Sequence, residues 1–301
     1  FWGNEEVNSG GGVWYPPAVD ADSGMTFWGT GNPAPFPGIV DFPNAESRPG
    51  PNLYTNSIVA LQGASGDLEW FKQIKPRDLF DLDFQTPRIL ATIEGEDGAR
   101  EIVIGSGKLG YVVAFDTESG DILWSTRVGE HENDELARVP EGETIRVFPG
   151  VLGGVETPMA LAEDVLYVPV LDLPTPYTAD GHGAEDGTEA VTNAEAETDF
   201  SKAKSHVAAL ELHTGRVLWK SDEFDEALFS GVTVVNDLLL AATYDGTMYA
   251  LERETGEKVW SEQAPAGINA WPSVAGDTIV WPAGVGQKPR LVALSLSAGG
   301  A

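Results

Sequence analysis

The stretch Val113-Ala114-Phe115-Asp116-Thr117-Glu118-Ser119-Gly120-Asp121-Ile122-Leu123-Trp124 decides the fold. An apolar run ends in a polar turn with Gly, and a second strand closes on Trp. The same arrangement recurs three times: Val59-Ala60-Leu61 to Gly66 to Trp70, Ala208-Ala209-Leu210 to Gly215 to Trp219, and Tyr249-Ala250-Leu251 to Gly256 to Trp260. Gly stands four residues before Trp in every copy. A fixed internal pattern of this kind marks a repeat architecture. Short apolar strands joined by Gly turns are hairpins, with Gly supplying the positive φ.

Each copy has a further strand pair upstream: Arg100 to Ile104, Val165 to Val170 and Val232 to Ala242 precede the later three. Four strands per repeat, ending in a Trp that packs between neighbours, is the composition of a propeller blade. A fifth copy runs from Trp271 through Ile279-Val280-Trp281 to Leu291-Val292-Ala293-Leu294 and lacks the Gly-to-Trp ending. The fold class is therefore all-β, a β-propeller with about five blades. Propellers close with about four to eight blades. We expect seven or eight in the parent protein, so that N-terminal blades precede this chain. No initiating Met and no signal peptide is seen, so the lack of a targeting signal carries no information.

Residues 172–205 change in composition to acidic, Ala/Thr/Gly-rich sequence. We expect an insertion within the third blade there, solvated and without fixed structure from Ala179 to Thr198. The 301 residues carry a formal net charge of −29 and no cysteine. Such a surface repels phosphate backbones, which argues against nucleic-acid binding. Without cysteine there is no disulfide, thiolate metal site or haem-attachment motif in the chain. No run of about 18 apolar residues exists, so no transmembrane span is expected. The four histidines, His131, His182, His206 and His213, show no metal-ligand spacing.

The segments between repeats carry the chemistry. Gly10-Gly11-Gly12-Val13-Trp14 precedes Phe27-Trp28-Gly29-Thr30-Gly31-Asn32-Pro33-Ala34-Pro35-Phe36, and Arg48-Pro49-Gly50-Pro51-Asn52-Leu53-Tyr54 follows. Further on come Lys75-Pro76-Arg77-Asp78-Leu79-Phe80-Asp81-Leu82-Asp83 and Ile102-Val103-Ile104-Gly105-Ser106-Gly107-Lys108-Leu109-Gly110-Tyr111. In order and spacing these resemble the quinoprotein alcohol dehydrogenases, enzymes dependent on pyrroloquinoline quinone (PQQ), and in particular the methanol and ethanol dehydrogenases. Arg77 departs from that pattern, which usually carries His there.

The resemblance implies a function and a site. Trp14 is the floor on which the quinone lies; a rigid indole suits a planar ring system. Asn32, Asp81 and Asp83 are metal ligands, and hard oxygen donors suit Ca²⁺ or a lanthanide. Asp81 is the catalytic base that takes the alcohol's hydroxyl proton. A second Asp two residues on marks lanthanide-dependent members, and alternation in an extended segment would bring Asp81 and Asp83 to one face. Calcium and lanthanide both remain open. Lys108 bonds the quinone oxygens, where a cation stabilises developing negative charge. Glu156 and Asn269 are further quinone-contacting candidates. The remaining metal ligand, a Glu, and several quinone ligands would come from earlier blades. Phe36 and Pro37 stand where relatives often have Trp-Asn near the pocket, which points away from methanol. The implied partners are a small alcohol and a soluble c-type cytochrome, in the periplasm or outside the cell. The alternative from a different class is a non-catalytic propeller scaffold that binds protein partners.

Overall fold

The structure is a computed structural model that describes residues 2–4, 6–95, 98–181 and 198–295. It is all-β, and its strands form five blade sheets and two small ribbons. Residues group into two compact units. The first holds 1–155, 172–199 and 213–215; the second holds 156–171, 200–212 and 216–301.

Two blades lie in the first unit. One is built from Ala18–Val19, Met25–Gly29, Ser57–Gln62 and Leu68–Gln73. The other uses Ile89–Gly95, Gly98–Gly105, Tyr111–Asp116 and Ile122–Arg127. All pairings are antiparallel between sequence neighbours. Ribbons pair Ser9–Gly10 with Pro33–Ala34 and Ile145–Val147 with Thr175–Tyr177. The core holds Phe27, Ile58, Leu79, Phe80, Leu82, Phe84, Phe115 and Tyr177.

In the second unit, one blade combines Ala160–Ala162, Val165–Asp172, Lys204–Glu211 and Val217–Lys220. The next has Thr233–Val235, Leu238–Ala242, Thr247–Glu252 and Lys258–Gln263. The last has three strands, Ser273–Ala275, Thr278–Ala283 and Arg290–Ser295, as the missing Gly-to-Trp ending implied. Trp281 is fully buried within it.

The recurring Ala-Leu pair has a structural reason. Each final hairpin has a register shift at that place, between Ala60 and Leu61, Ala209 and Leu210, and Ala250 and Leu251. A bulge of this kind sharpens the local twist of the last strand pair. The turn is closed by short-range bonds: the Gly120 N–H donates to the Asp116 carbonyl at 3.0 Å, and the Asp116 carboxylate accepts the N–H groups of Glu118 and Ser119.

The repeated Trp meets the turn Gly of the following copy. Trp70 donates from Nε1 to the Thr117 carbonyl at 2.9 Å, and its ring lies on Gly120. A Cβ on Gly120 would fall 2.6 Å from that ring, one on Gly215 2.4 Å from Trp124, and one on Gly256 2.6 Å from Trp219. All three glycines have positive φ, so backbone strain and sterics both require glycine there.

The ends of the acidic stretch are ordered: Thr175–Tyr177 is paired and buried at both ends, and Lys204 opens a strand. The middle of the expected insertion, 182–197, lies outside the described residues.

Two glycines separate the causes. Gly66 has φ +78 with nothing within 4 Å of an added Cβ, whereas Gly120 has φ +72 and the Trp70 ring. Gly66→Ala should lose about 1 kcal/mol from left-handed strain alone. Gly120→Ala should lose about 2–4 kcal/mol, because overpacking adds to the strain. Denaturant midpoints at constant slope would measure both; equal losses would remove the ring's role.

Candidate functional site

Lys108 sits at the end of a Gly-rich turn after the strand Gly98–Gly105 and is 2% exposed. Its ammonium Nζ lies 2.6 Å from Asp81 Oδ2 and 2.8 Å from Asp83 Oδ2. Both carboxylates are buried, Asp83 completely. Asp83 Oδ1 accepts the backbone N–H of Asn32, while Oδ2 has no other partner than the ammonium among the described residues. The Trp14 ring is next to them, its centroid 5.1 Å from Nζ. Thus Trp14, Asn32, Asp81, Asp83 and Lys108, from four separate segments, meet in one place. Glu156 and Asn269 belong to the second unit, where Asn269 is exposed.

Close approach is written into the glycines. A Cβ on Gly31 would fall 2.8 Å from Asp83 Oδ1 and 3.2 Å from Trp14 Nε1. A Cβ on Gly107 would overlap the Asp83 carbonyl. These positions exclude any side chain without movement of the site. Gly31 and Gly11 also bond across the loop, to the carbonyls of Gly12 and Asn32, both at 2.8 Å.

The alternation expected to align Asp81 with Asp83 is not what the structure uses. Residues 78–83 form a loop rather than a strand, and Asp81 has φ +60. Asp78 holds that loop. Its carboxylate accepts the N–H groups of Phe80 at 2.9 Å and Leu82 at 2.5 Å, and the Asn56 side-chain amide at 3.1 Å. Tyr177 adds a bond from its hydroxyl to the Phe80 carbonyl at 2.7 Å. With the loop held in this way, both carboxylates meet one ammonium. Arg77, at the position of the family's His, donates to the carbonyls of Asn44 and Ala137.

Two buried arginines were not singled out as functional by the sequence. Arg88 donates to the carbonyls of Phe84 and Thr86, lies over the Phe84 ring at 4.4 Å, and packs against Gly29 and Gly105. Burial pulls its guanidinium down to about 9. Arg48 is fully buried and is pulled to about 10 by burial, against the opposing field of Asp78. The sequence signal for both was only a charged residue beside glycines or prolines, which does not reveal burial.

Electrostatics favour a cation. Burial pushes the Asp81 carboxyl well above the usual carboxylate range, with Lys108 opposing and Asp83 adding to the rise. Asp83 is raised for the same first reason, again against Lys108. For both carboxyls desolvation outweighs the attraction of the ammonium. Two carboxyl groups share one ammonium in a dry site, and their oxygens are the donor type that a hard cation takes. Asn32, Asp81 and Asp83 supply oxygens suited to such an ion. Trp14, although next to this buried cluster, is 60% exposed, so its indole offers an open face for a planar group. The residues present therefore fit both a metal ion and a quinone. Among the described residues no cluster of three His, Cys, Asp or Glu that could hold a metal by itself occurs.

Lys108→Met should expose this balance. Removing the ammonium leaves two unpaired buried carboxylates, at a loss of about 3–5 kcal/mol in metal-free protein at neutral pH. Carboxyls raised by burial bind protons more tightly folded than unfolded. Folded-state stability therefore falls as pH rises above the ordinary carboxylate value of 3.8. The deficit of the variant should shrink as pH is lowered toward that value, which chemical denaturation across pH would measure.

Comparison with known proteins is consistent with this geometry. Residues 1–146 match the family model described as the β-propeller domain of glucose/ethanol/alcohol dehydrogenases. Residues 203–300 match that of the outer membrane protein assembly factor BamB. The chain is 25% identical over 293 residues to a quinohemoprotein alcohol dehydrogenase of Comamonas testosteroni, covering 89% of this chain and 41% of that protein. It is also 25% identical over 298 residues to a lanthanide-dependent methanol dehydrogenase of Methylacidiphilum fumariolicum, covering 89% and 46%. The chain thus spans less than half the length of these relatives. The solved quinohemoprotein alcohol dehydrogenase ADHIIG of Pseudomonas putida HK5 superposes with a TM-score of 0.76 at 20% identity, over 92% of this chain and 45% of that one. This structural likeness speaks for the fold.

Proposed function

We propose that this chain, which resembles the PQQ-dependent alcohol dehydrogenases, carries part of the site at which such an enzyme oxidises an alcohol to an aldehyde. The observation that supports the reading is the meeting of Trp14, Asn32, Asp81, Asp83 and Lys108 around one buried charge cluster. When bound, the quinone supplies the acceptor for the hydride leaving the alcohol carbon, and the metal supplies Lewis acidity. Asn32, Asp81 and Asp83 would hold the metal, and Trp14 would carry the ring on its exposed face.

The chain's own residues then do three things. Asp81, the base, accepts the hydroxyl proton of the alcohol at Oδ1 or Oδ2. Lys108 keeps a positive charge beside the site, where negative charge develops on an acceptor oxygen. The glycines at 31 and 107 keep side chains and water out of the space between the loops. Glu156 and Asn269 are assigned as quinone-contacting residues by resemblance alone. Electrons would leave to a soluble c-type cytochrome, and the setting would be periplasmic or extracellular. No helix of the described residues is long and apolar enough to cross a membrane.

A scaffold role has one observation in its favour, the match of residues 203–300 to the model of an assembly factor. Dye-linked turnover separates the two readings. With PQQ and La³⁺ or Ca²⁺, the complete protein should oxidise primary alcohols. Asp81→Asn should lower turnover by about 10²–10⁴-fold, the usual contribution of a positioned base. Asp83→Ala should abolish activity with La³⁺ more than with Ca²⁺. Unchanged turnover in Asp81→Asn would sink the assignment, and no turnover or PQQ binding with either metal would favour the scaffold.

A further inference from the structure

The metal-binding set proposed above is divided between two loops, one bearing Asn32 and the other bearing Asp81 and Asp83. We propose that Arg48 is the positioning residue that fixes the distance between them; this rests on the reading of those residues as metal ligands. From a third segment, the guanidinium of Arg48 reaches both loops. Its Nε and Nη2 donate to the Pro35 carbonyl at 3.0 and 2.9 Å, and Nη2 also donates to the Asp78 carbonyl at 2.6 Å. Nη1 donates to Asn52 Oδ1 at 3.0 Å, which holds the fork from behind.

The two gripped carbonyls are placed alike. Pro35 is three residues after Asn32, and Asp78 is three residues before Asp81. Both connecting segments are stiff. On one side, Pro33 and Pro35 fix their own φ, and Pro33–Ala34 is paired to Ser9–Gly10. On the other, the Asp78 carboxylate binds the N–H groups of Phe80 and Leu82 on either side of Asp81. A displacement at Arg48 is therefore transmitted to the ligands instead of being absorbed between.

The choice of side chain fits this task. Arg48 is fully buried yet makes its bonds to carbonyls and one amide oxygen, without a carboxylate in hydrogen-bond contact. Burying a cation this way is costly for mere packing. A planar fork with fixed donor directions can hold three acceptors at set angles; a lysine ammonium, a point charge on a flexible stem, cannot. Outer residues that orient metal ligands typically change metal affinity by about 10–100-fold when altered.

The test uses metal-free protein titrated with Tb³⁺, with emission excited through tryptophan, because Trp14 lies beside the site. Arg48→Lys should keep the wild-type circular dichroism spectrum and weaken Tb³⁺ binding by about 10–100-fold. In an Asn32→Ala background, where one loop no longer contributes a ligand, the same substitution should change affinity by less than about twofold. Wild-type affinity in Arg48→Lys, or an equal loss in both backgrounds, would overturn the proposal, since general loosening predicts additivity. If Arg48→Lys does not fold, Arg48→Gln is read in the same way; if neither folds, Arg48 is a structural residue and the proposal fails. A wild type that binds no Tb³⁺ would overturn the metal-site reading itself, and the clamp with it.

Discussion

The candidate site in the first unit is built around one ammonium placed between two buried carboxylates. Lys108, Asp81 and Asp83 are each nearly or wholly removed from water. Charges in such a place are tolerated only where geometry is exact enough for attraction to offset desolvation. That demand explains why the loops around them are so heavily fastened. Asp78, Tyr177, Arg48 and Arg88 all spend their polar groups on backbone atoms of residues 78 to 86, and Arg48 on Pro35 as well. The buried oxygens of Asp81 and Asp83 make the cluster a suitable seat for a hard cation, and the exposed indole of Trp14 beside it a seat for a flat ring.

The blades supply the rigidity behind this. Trp70, Trp124 and Trp219 each stand on a glycine that has room for no Cβ, and each of these glycines has a positive φ. The contact fixes where one hairpin ends and the next begins, and so fixes the loops at the strand ends. Functional groups on loops over a stiff β framework are a familiar division of labour. Here the loops are unusually internal, with their carbonyls satisfied by buried side chains rather than by water.

Much of the fold was legible in the sequence because its signal is local. Gly and Trp four residues apart, preceded by an apolar strand, define a hairpin without reference to the rest of the chain. The incomplete fifth copy likewise reads directly as a three-stranded sheet. Asp81, Asp83, Lys108, Trp14 and Asn32 came from resemblance, and the structure places them together. Their manner of meeting was not legible: alternation assumed a strand, whereas a left-handed Asp81 in a side-chain-capped loop brings the carboxylates round. Arg48 and Tyr177 were hidden for another reason. Their acceptors are carbonyls 30 and 97 positions away, and a carbonyl has no sequence signature.

Asn32, Asp81 and Asp83 would hold a metal ion, and Trp14 would carry a planar quinone. The most direct measurement is a crystal structure of the complete protein with PQQ and La³⁺, read by anomalous scattering. The expected result is an anomalous peak within about 2.3–2.6 Å of oxygens of Asn32, Asp81 and Asp83, the range of calcium–oxygen bonds, with Lys108 turned toward a quinone lying on Trp14. A metal peak elsewhere, or a site in which Lys108 still bridges the two carboxylates with Trp14 uncovered, would contradict it.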